Sequence, residues 1–294
     1  MVVESVSAVV FVSAVNTITI VKPSGLVVGD LLVASLTAAA ADGTGSGTVT
    51  TLAGWTLAIA TSHSGGYYNN IQYKIADAGD VAASNFTFTK STSTDQFIGQ
   101  LYRVSGHNTL DPLGTAQTYE DVGASSTSFE GTMTSYTPGA DGAFVLMQVG
   151  GEWSAGGSVR TVSNYDTVTT GITWTEGMDK TANDGGGGYV TASAYGIQST
   201  AAALTEYTAT VSLTLNDHYG QIAVFLPPID ASGSNTLVTT SAVDFSQTGK
   251  CDGVIDNTLA TTTSEAFTQT GTAGKQAVWT NPDKITTNWT NPDK

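Results

Sequence analysis

Apolar and polar residues alternate with a period of two along most of the chain. Ile18-Thr-Ile20, Gly29-Asp-Leu-Leu-Val-Ala-Ser-Leu36, Trp55-Thr-Leu-Ala-Ile59, Asn70-Ile-Gln-Tyr-Lys-Ile75, Asn85-Phe-Thr-Phe-Thr89 and Phe97-Ile-Gly-Gln-Leu-Tyr-Arg-Val104 each read as a strand. Gly, Pro, Asp and Asn clusters lie between them, as turns require. The opening Met1-Val-Val-Glu-Ser-Val-Ser-Ala-Val-Val-Phe-Val12 also alternates and reads as the first strand. It carries Glu4 where a signal peptide carries cations, so a secretion signal is not expected. Only the Ala-rich stretch Asp77–Ser84 suggests a helical turn.

The layout returns in the second hundred residues. Gly99-Gln-Leu-Tyr-Arg-Val104 is echoed by Gly220-Gln-Ile-Ala-Val-Phe225, an offset of 220 − 99 = 121. Phe86-Thr-Phe-Thr89 is echoed by Tyr207-Thr-Ala-Thr210, Tyr73-Lys-Ile75 by Tyr195-Gly-Ile197, and Trp55-Thr56 by Trp174-Thr175. Pro23-Ser-Gly…Gly29-Asp-Leu-Leu-Val33 corresponds to Pro138-Gly…Gly142-Ala-Phe-Val145. Order is kept while the offset drifts, as loop insertions in a duplicated unit produce. The expected fold class is all-β: two tandem antiparallel β-sandwich domains, jelly-roll or immunoglobulin-like, over 1–110 and 111–229. Asp111-Pro112 and Pro227-Pro228 mark their ends.

Residues 230–294 are rich in Thr and Ser and close on Trp279-Thr-Asn-Pro-Asp-Lys284, repeated as Trp289-Thr-Asn-Pro-Asp-Lys294. They read as a C-terminal extended β or arm segment. Repeated Trp beside Asn-Pro turns suits docking on another subunit, so Trp279, Pro282, Trp289 and Pro292 are the candidate partner-binding residues.

Composition narrows the function. The chain has 294 residues, 48 of them Thr, and a formal net charge of −15 from 10 Lys and Arg against 25 Asp and Glu. The basic residues are scattered from Lys22 to Lys294, which excludes the cationic stripe that nucleic acid or anionic lipid needs. No apolar run approaches the roughly 18 residues of a membrane-spanning helix. Cys251 is the one cysteine, so an intrachain disulfide is ruled out.

Candidate chemistry is sparse. His63, His107 and His218 lack the spacing of a metal site, and His107 and His218 read as strand-end residues. Gly43-Thr-Gly-Ser-Gly47 puts its Ser out of register for a nucleophile elbow. Gly185–Gly188 lacks the Lys-Ser/Thr and helix of a phosphate loop. Glu120, Asp121, Glu130, Glu152, Asp166, Glu176 and Asp179 are the acids from which a glycosidase pair would be drawn, and they read as solvated surface. Asp-Gly pairs at 42, 141, 184 and 252 suit turns, and none has the acid spacing of a Ca²⁺ loop, so no cofactor is expected.

Pro23-Ser-Gly-Leu-Val-Val-Gly-Asp-Leu-Leu-Val-Ala34, Ala53-Gly-Trp-Thr56, Tyr73-Lys74, Phe86-Thr-Phe-Thr89 and Tyr102-Arg-Val-Ser-Gly106…Asp111-Pro112 together resemble a β-sandwich module of tailed-phage virion structural proteins, also met in some bacterial surface proteins. The Trp-Thr-Asn-Pro-Asp-Lys tail is similar to short repeats ending phage structural proteins. The resemblance implies a non-enzymatic virion protein on the particle surface: a capsid decoration protein, head fibre or tail-associated protein. Its partners would be other virion proteins, copies of itself and a surface glycan, without nucleic-acid binding or membrane insertion. It would assemble in the host cytoplasm and leave by lysis. Two alternatives are a carbohydrate-binding or host-attachment module, using Trp55, Trp153, Trp174, Tyr67 and Tyr68, and a bacterial surface or extracellular filament subunit completed by an N-terminal donor strand.

Overall fold

The computed structural model describes residues 1–39, 47–62, 67–92, 96–108, 112–122, 126–137, 141–153, 160–167, 171–183, 188–215, 218–226, 235–238 and 257–260. The period-two segments form β1 (Val2–Val6), β2 (Val10–Ser13), β3 (Thr17–Val21), β4 (Leu31–Ala39), β5 (Thr56–Ser62), β6 (Tyr67–Ile75), β7 (Asn85–Thr89) and β8 (Gln96–Ser105). The second half supplies β9 (Thr115–Val122), β10 (Ser126–Tyr136), β11 (Ala143–Trp153), β12 (Val162–Thr167), β13 (Thr175–Asn183), β14 (Gly188–Gln198), β15 (Leu204–Leu215) and β16 (His218–Leu226). Last come β17 (Asn235–Val238) and β18 (Asn257–Ala260). The chain is all-β apart from one helical turn, α1 (Ala78–Ala82), among the described residues. Asp77 caps α1 by accepting from the Asp80 backbone, and the Asp80 carboxylate answers on the Asp77 N–H.

Contacts group Met1–Ile229 into one compact unit and Asp230–Lys294 into a second. The first unit is built around two large antiparallel sheets. One runs β1-β8-β4-β6-β5, with β2 also on β8; the other runs β9-β16-β11-β14-β13. The strand order of the first is therefore traced again in the second, strand for strand. The opening segment, expected as a single strand, is two short ones, β1 and β2, laid on successive lengths of β8.

Each large sheet is covered on both faces. The two-stranded sheet β3-β7 puts Ile18, Ile20, Phe86 and Phe88 on Leu32, Ala34, Leu36 and Leu101 of the first sheet. On its other face Leu31, Val33, Ile71, Tyr102 and Val104 meet Phe144 and Leu146 of the second sheet. Strands β12 and β15 of the three-stranded sheet β10-β15-β12 lie against β14 and β11. All nine residues of β4 are consequently buried, where simple alternation would leave every second one in water. At about 25 cal/mol per Å² of apolar surface removed from water, these layers are the principal stabilising contribution.

The repeat has a one-residue correction. A Cβ on Gly99 would meet Ile20 and Leu36, so Gly99 faces β3-β7. Gly220 pairs with Gly150, whose added Cβ would meet Asn69 and Tyr67 of the other large sheet. Directly opposed antiparallel residues share a face, so the two Gly-Gln words lie on opposite faces. The face-preserving match is Tyr102, opposite Val33, with Val224, opposite Leu146: 224 − 102 = 122. That equals the Tyr73 to Tyr195 offset, 195 − 73 = 122.

Candidate functional site

Trp279, Pro282, Trp289 and Pro292 lie outside the described residues, as do His63, Cys251 and the Asp-Gly pairs at 42, 184 and 252. The fourth pair, Asp141-Gly142, lies at a bend before β11: Asp141 Oδ1 accepts from Ala201 N at 2.6 Å, and Gly142 holds φ +90°.

The aromatic residues considered for sugar stacking are largely packing residues. Trp55 meets Phe86 and Phe88 edge-on at 5.6 and 5.3 Å. Tyr67 is buried with Ile98, Met178 and Tyr189, and Tyr68 packs half-buried on the first core. Trp174 is half-buried, and its indole N–H has no hydrogen-bond partner. Trp153 ends β11, and its side chain lies outside the described set.

Three surroundings combine polarity with order. The first is the outward face of β3-β7. Here Thr17 pairs with Thr89, Thr19 with Thr87 and Val21 with Asn85. All six are exposed because their neighbours Ile18, Ile20, Phe86 and Phe88 fill the core. The Thr19 and Thr87 hydroxyls bond each other across the ladder at 3.0 Å.

The second is the loop from Ser24 to Asp30. Arg103 Nε donates to Asp30 Oδ2 at 2.6 Å, and Val27 N donates to the same oxygen at 2.9 Å. The guanidinium also reaches the Ser24 carbonyl. Gly25 stands at φ +69°, in the left-handed region that favours glycine, beside the Arg103 guanidinium. Leu26 goes into the core, and this clamp holds Val27 and Val28 in solvent, 51% and 63% exposed. The Pro23–Ala34 motif is thus a staple between the β3–β4 loop and β8. His107, beyond the end of β8, is buried, and burial lowers its pKa while the Asp30 charge opposes the shift.

The third lies where the edges of two sheets approach. Strands β12 and β13 each carry a register irregularity, between Ser163 and Asp166 and between Glu176 and Asp179. Asn164 stands in the left-handed region at φ +53°. Val162 N donates to Asp179 Oδ2 across the gap at 3.3 Å. Burial pushes the Asp179 carboxyl up to about 6, with the Glu176 charge adding to the rise. The Tyr165 hydroxyl is buried without a hydrogen-bond partner, and burial followed by the Glu176 and Asp179 charges raises its pKa. Of the seven acids considered above, Glu176 and Asp179 act on one another; the side chains of Glu120, Asp121, Glu130 and Glu152 lie outside the described set. Among the described residues, no three His, Cys, Asp or Glu side chains gather as a metal site would require.

The Thr row was visible in the alternation of Thr17, Thr19, Thr87 and Thr89, but its exposure depends on which layer covers the strands. The Asp179–Tyr165 cluster had no local signal, because irregularities in two different strands create it. No family model, curated protein or solved structure matches the chain.

Proposed function

We propose that the chain is a non-enzymatic structural protein of a phage particle, displayed on its surface as a capsid decoration protein, head fibre or tail-associated protein. In this reading it works through contacts with neighbouring subunits. The motif from Pro23 to Ala34 and the Trp-Thr-Asn-Pro-Asp-Lys tail support the phage assignment. The observation that carries the contact role is the exposed Thr and Val face of β3-β7, a row of methyls and hydroxyls on a layer held from beneath by four buried side chains. Such a face suits a broad surface contact of many weak interactions. The halves 1–110 and 111–229 are read as tandem sandwich units, on the repeated strand order.

A carbohydrate-binding role is the second reading. The half-buried Trp174 and Tyr68 support it, since a sugar ring stacks on a partly uncovered aromatic face. A filament subunit completed by an N-terminal donor strand draws no support, because β1 and β2 pair with β8 of the same chain.

The test is to purify intact particles from a lysate of a producing strain and search their protein content by mass spectrometry. The chain should be a stoichiometric component, and T19K/T87K should lower its occupancy. Its absence from purified particles overturns the proposal.

A further inference from the structure

The contact between the two large sheets is reciprocal, and register fixes the equivalences. Thr56 stands opposite Tyr73 and Thr175 opposite Tyr195. Strand β5 therefore maps onto β13 with an offset of 175 − 56 = 119, and β6 onto β14 with 195 − 73 = 122. Val33 stands opposite Tyr73 and Leu146 opposite Tyr195, so β4 maps onto β11 with 146 − 33 = 113. Thr37 thus corresponds to Gly150, Asn69 to Thr191 and Ala58 to Gly177. Strand β4 lies on β14, and its counterpart β11 lies on β6; β8 lies on β13, and its counterpart β16 lies on β5. The agreement reaches single residues. The Thr37 hydroxyl bonds that of Thr191 at 2.9 Å. Exchanging the halves turns this pair into Gly150 with Asn69, and Asn69 Nδ2 does lie 3.1 Å from where a Gly150 Cβ would stand. Such reciprocity marks an isologous, two-fold contact, here made within one chain.

The symmetry is broken where the fit is tightest. Tyr102 of β8 reaches Gly177 of β13, where a Cβ would run into its hydroxyl. The corresponding place in the first half is Ala58, which carries that Cβ, and the counterpart of Tyr102 is Val224. A first-half face meeting another first-half face would drive Tyr102 into Ala58 and crowd Thr37 onto Asn69. A second-half face meeting its like would leave the spaces at Gly150 and Gly177 unfilled. Large side chains on one face and glycines on the other restrict each face to the unlike half.

The contact is also built to part. Among the described residues no sheet mixes strands of the two halves, so separating them breaks no sheet ladder. Ser35 Oγ, Asn69 Nδ2 and Gln148 Oε1, on the strands that meet, are buried without hydrogen-bond partners. Parting the faces returns these groups to water, which lowers the cost of opening. One connection, from Ser105 at the end of β8 to Thr115 at the start of β9, joins the halves.

We propose that this face is an exchange interface between copies of the chain: the 1–110 half of one copy mates with the 111–229 half of a second, and the two remaining halves mate likewise. The proposal rests on reading the halves as units and is independent of the particle-surface reading. Closed and exchanged forms contain the same contacts, so concentration decides between them. Tethered halves meet at an effective concentration on the order of millimolar, so dilute chains close on themselves and crowded chains exchange.

The test uses two full-length chains in a Cys251→Ser background, one with T37C and one with T191C. They are unfolded together, refolded under reducing conditions at rising concentration, and then oxidised. A disulfide joins positions 37 and 191 of different chains only when halves of different copies have mated. The linked heterodimer should increase with concentration, and T37C chains alone should stay unlinked. Next, G177A is added to the T37C chain and Y102F to the T191C chain. Exchange then reunites Tyr102 with Gly177 in one joint and brings the two substituted positions together in the other. At a fixed low concentration the linked yield should rise at least about tenfold, because exchange now relieves the overpacking. The first pair of chains lacks G177A, so the test stands even where that variant folds poorly alone. T37C and T191C placed in one chain report the closed form. A link within one chain but never between chains overturns the exchange and leaves the two-unit reading standing. Equal linking of T37C chains with one another, or a yield unmoved by G177A and Y102F, also overturns the proposal. Exchange in a chain missing from purified particles would sink the particle-surface reading and leave this one intact.

Discussion

The hydroxyls of Tyr102 and Ser193 lie 2.9 Å apart, joining the first large sheet to the second in the middle of their shared interior. The Tyr102 hydroxyl donates to Gln100 Oε1 at 2.9 Å, and Ser193 Oγ accepts from Met178 N at 2.9 Å. Farther along, Thr37 bonds Thr191 at 2.9 Å, and Gln148 Nε2 donates to the Leu36 carbonyl at 2.9 Å. A seam of hydrogen bonds thus runs beside the apolar contact of Phe144 with Tyr102. Hydrophobic burial brings the faces together without direction; these bonds fix which residue meets which.

Removing the Tyr102 hydroxyl takes two bonds from the seam. In Tyr102→Phe the ring stays packed and Ser193 keeps its bond from Met178 N, but Gln100 Oε1 loses its donor and the Ser193 hydroxyl its acceptor. The expected loss is about 2–3 kcal/mol, the cost of orphaning two buried neutral groups. Urea denaturation should show a lower midpoint at an unchanged m-value.

Gly177 is the position that makes room for this seam. A Cβ there would run into the Tyr102 hydroxyl and lie 2.7 Å from Ser193 Oγ and 2.8 Å from Gln100 Oε1. Gly177→Ala should cost about 2–3 kcal/mol through overpacking. The cost should shrink in the Tyr102→Phe background, because the closest obstructing atom is then gone. A double-mutant cycle over the four proteins measures this coupling, and strict additivity would show that the clash lies elsewhere.

The elements were legible because local alternation and turn residues act within a few positions of one another. Asn85–Thr89 is a strand over the residues that the alternation of Phe86 and Phe88 marks, and the Ala-rich stretch after Asp77 does form one helical turn. The meeting of the two large sheets was not legible. Leu31 and Leu32 look alike in sequence, yet one faces Phe144 and the other Ile18 and Ile20, and only the position of distant strands separates them. The Gly99 and Gly220 match shows the same limit: similar words can lie on opposite faces after a one-residue slip. The candidate surface divides in the same way. The Thr row belongs to a single ladder and could be read from its two strands, whereas the Asp179–Tyr165 cluster needs two sheets.

The Asp30–Arg103 staple should be sensitive to loss of either partner. Both side chains are mostly buried, at 6% and 15% exposure, so Arg103→Leu leaves the Asp30 carboxylate facing only the Val27 N–H and a little solvent. The expected destabilisation is about 3 kcal/mol, the usual order for stranding one half of a buried ion pair. The loop should open with it, so limited proteolysis should cut near Val27 and Val28 in the variant and spare the parent.

Asp179 supplies a pH dependence whose sign follows from burial. Its carboxyl titrates near 6 in the folded chain, against an ordinary value near 3.8. Between those values the folded state binds more protons than the unfolded state, so stability falls as pH rises through the window. Below pH about 4 both states are protonated and the penalty is absent; above about 6 it is complete. Allowing for partial exposure and solvent screening, the penalty is on the order of 1–2 kcal/mol. Asp179→Asn keeps an oxygen to accept from Val162 N and never ionises. Its melting temperature should match the parent near pH 4 and exceed it at pH 7. The difference between the two proteins isolates this residue from the other carboxylates, and parallel curves over the window would show that Asp179 is already solvated in the folded chain.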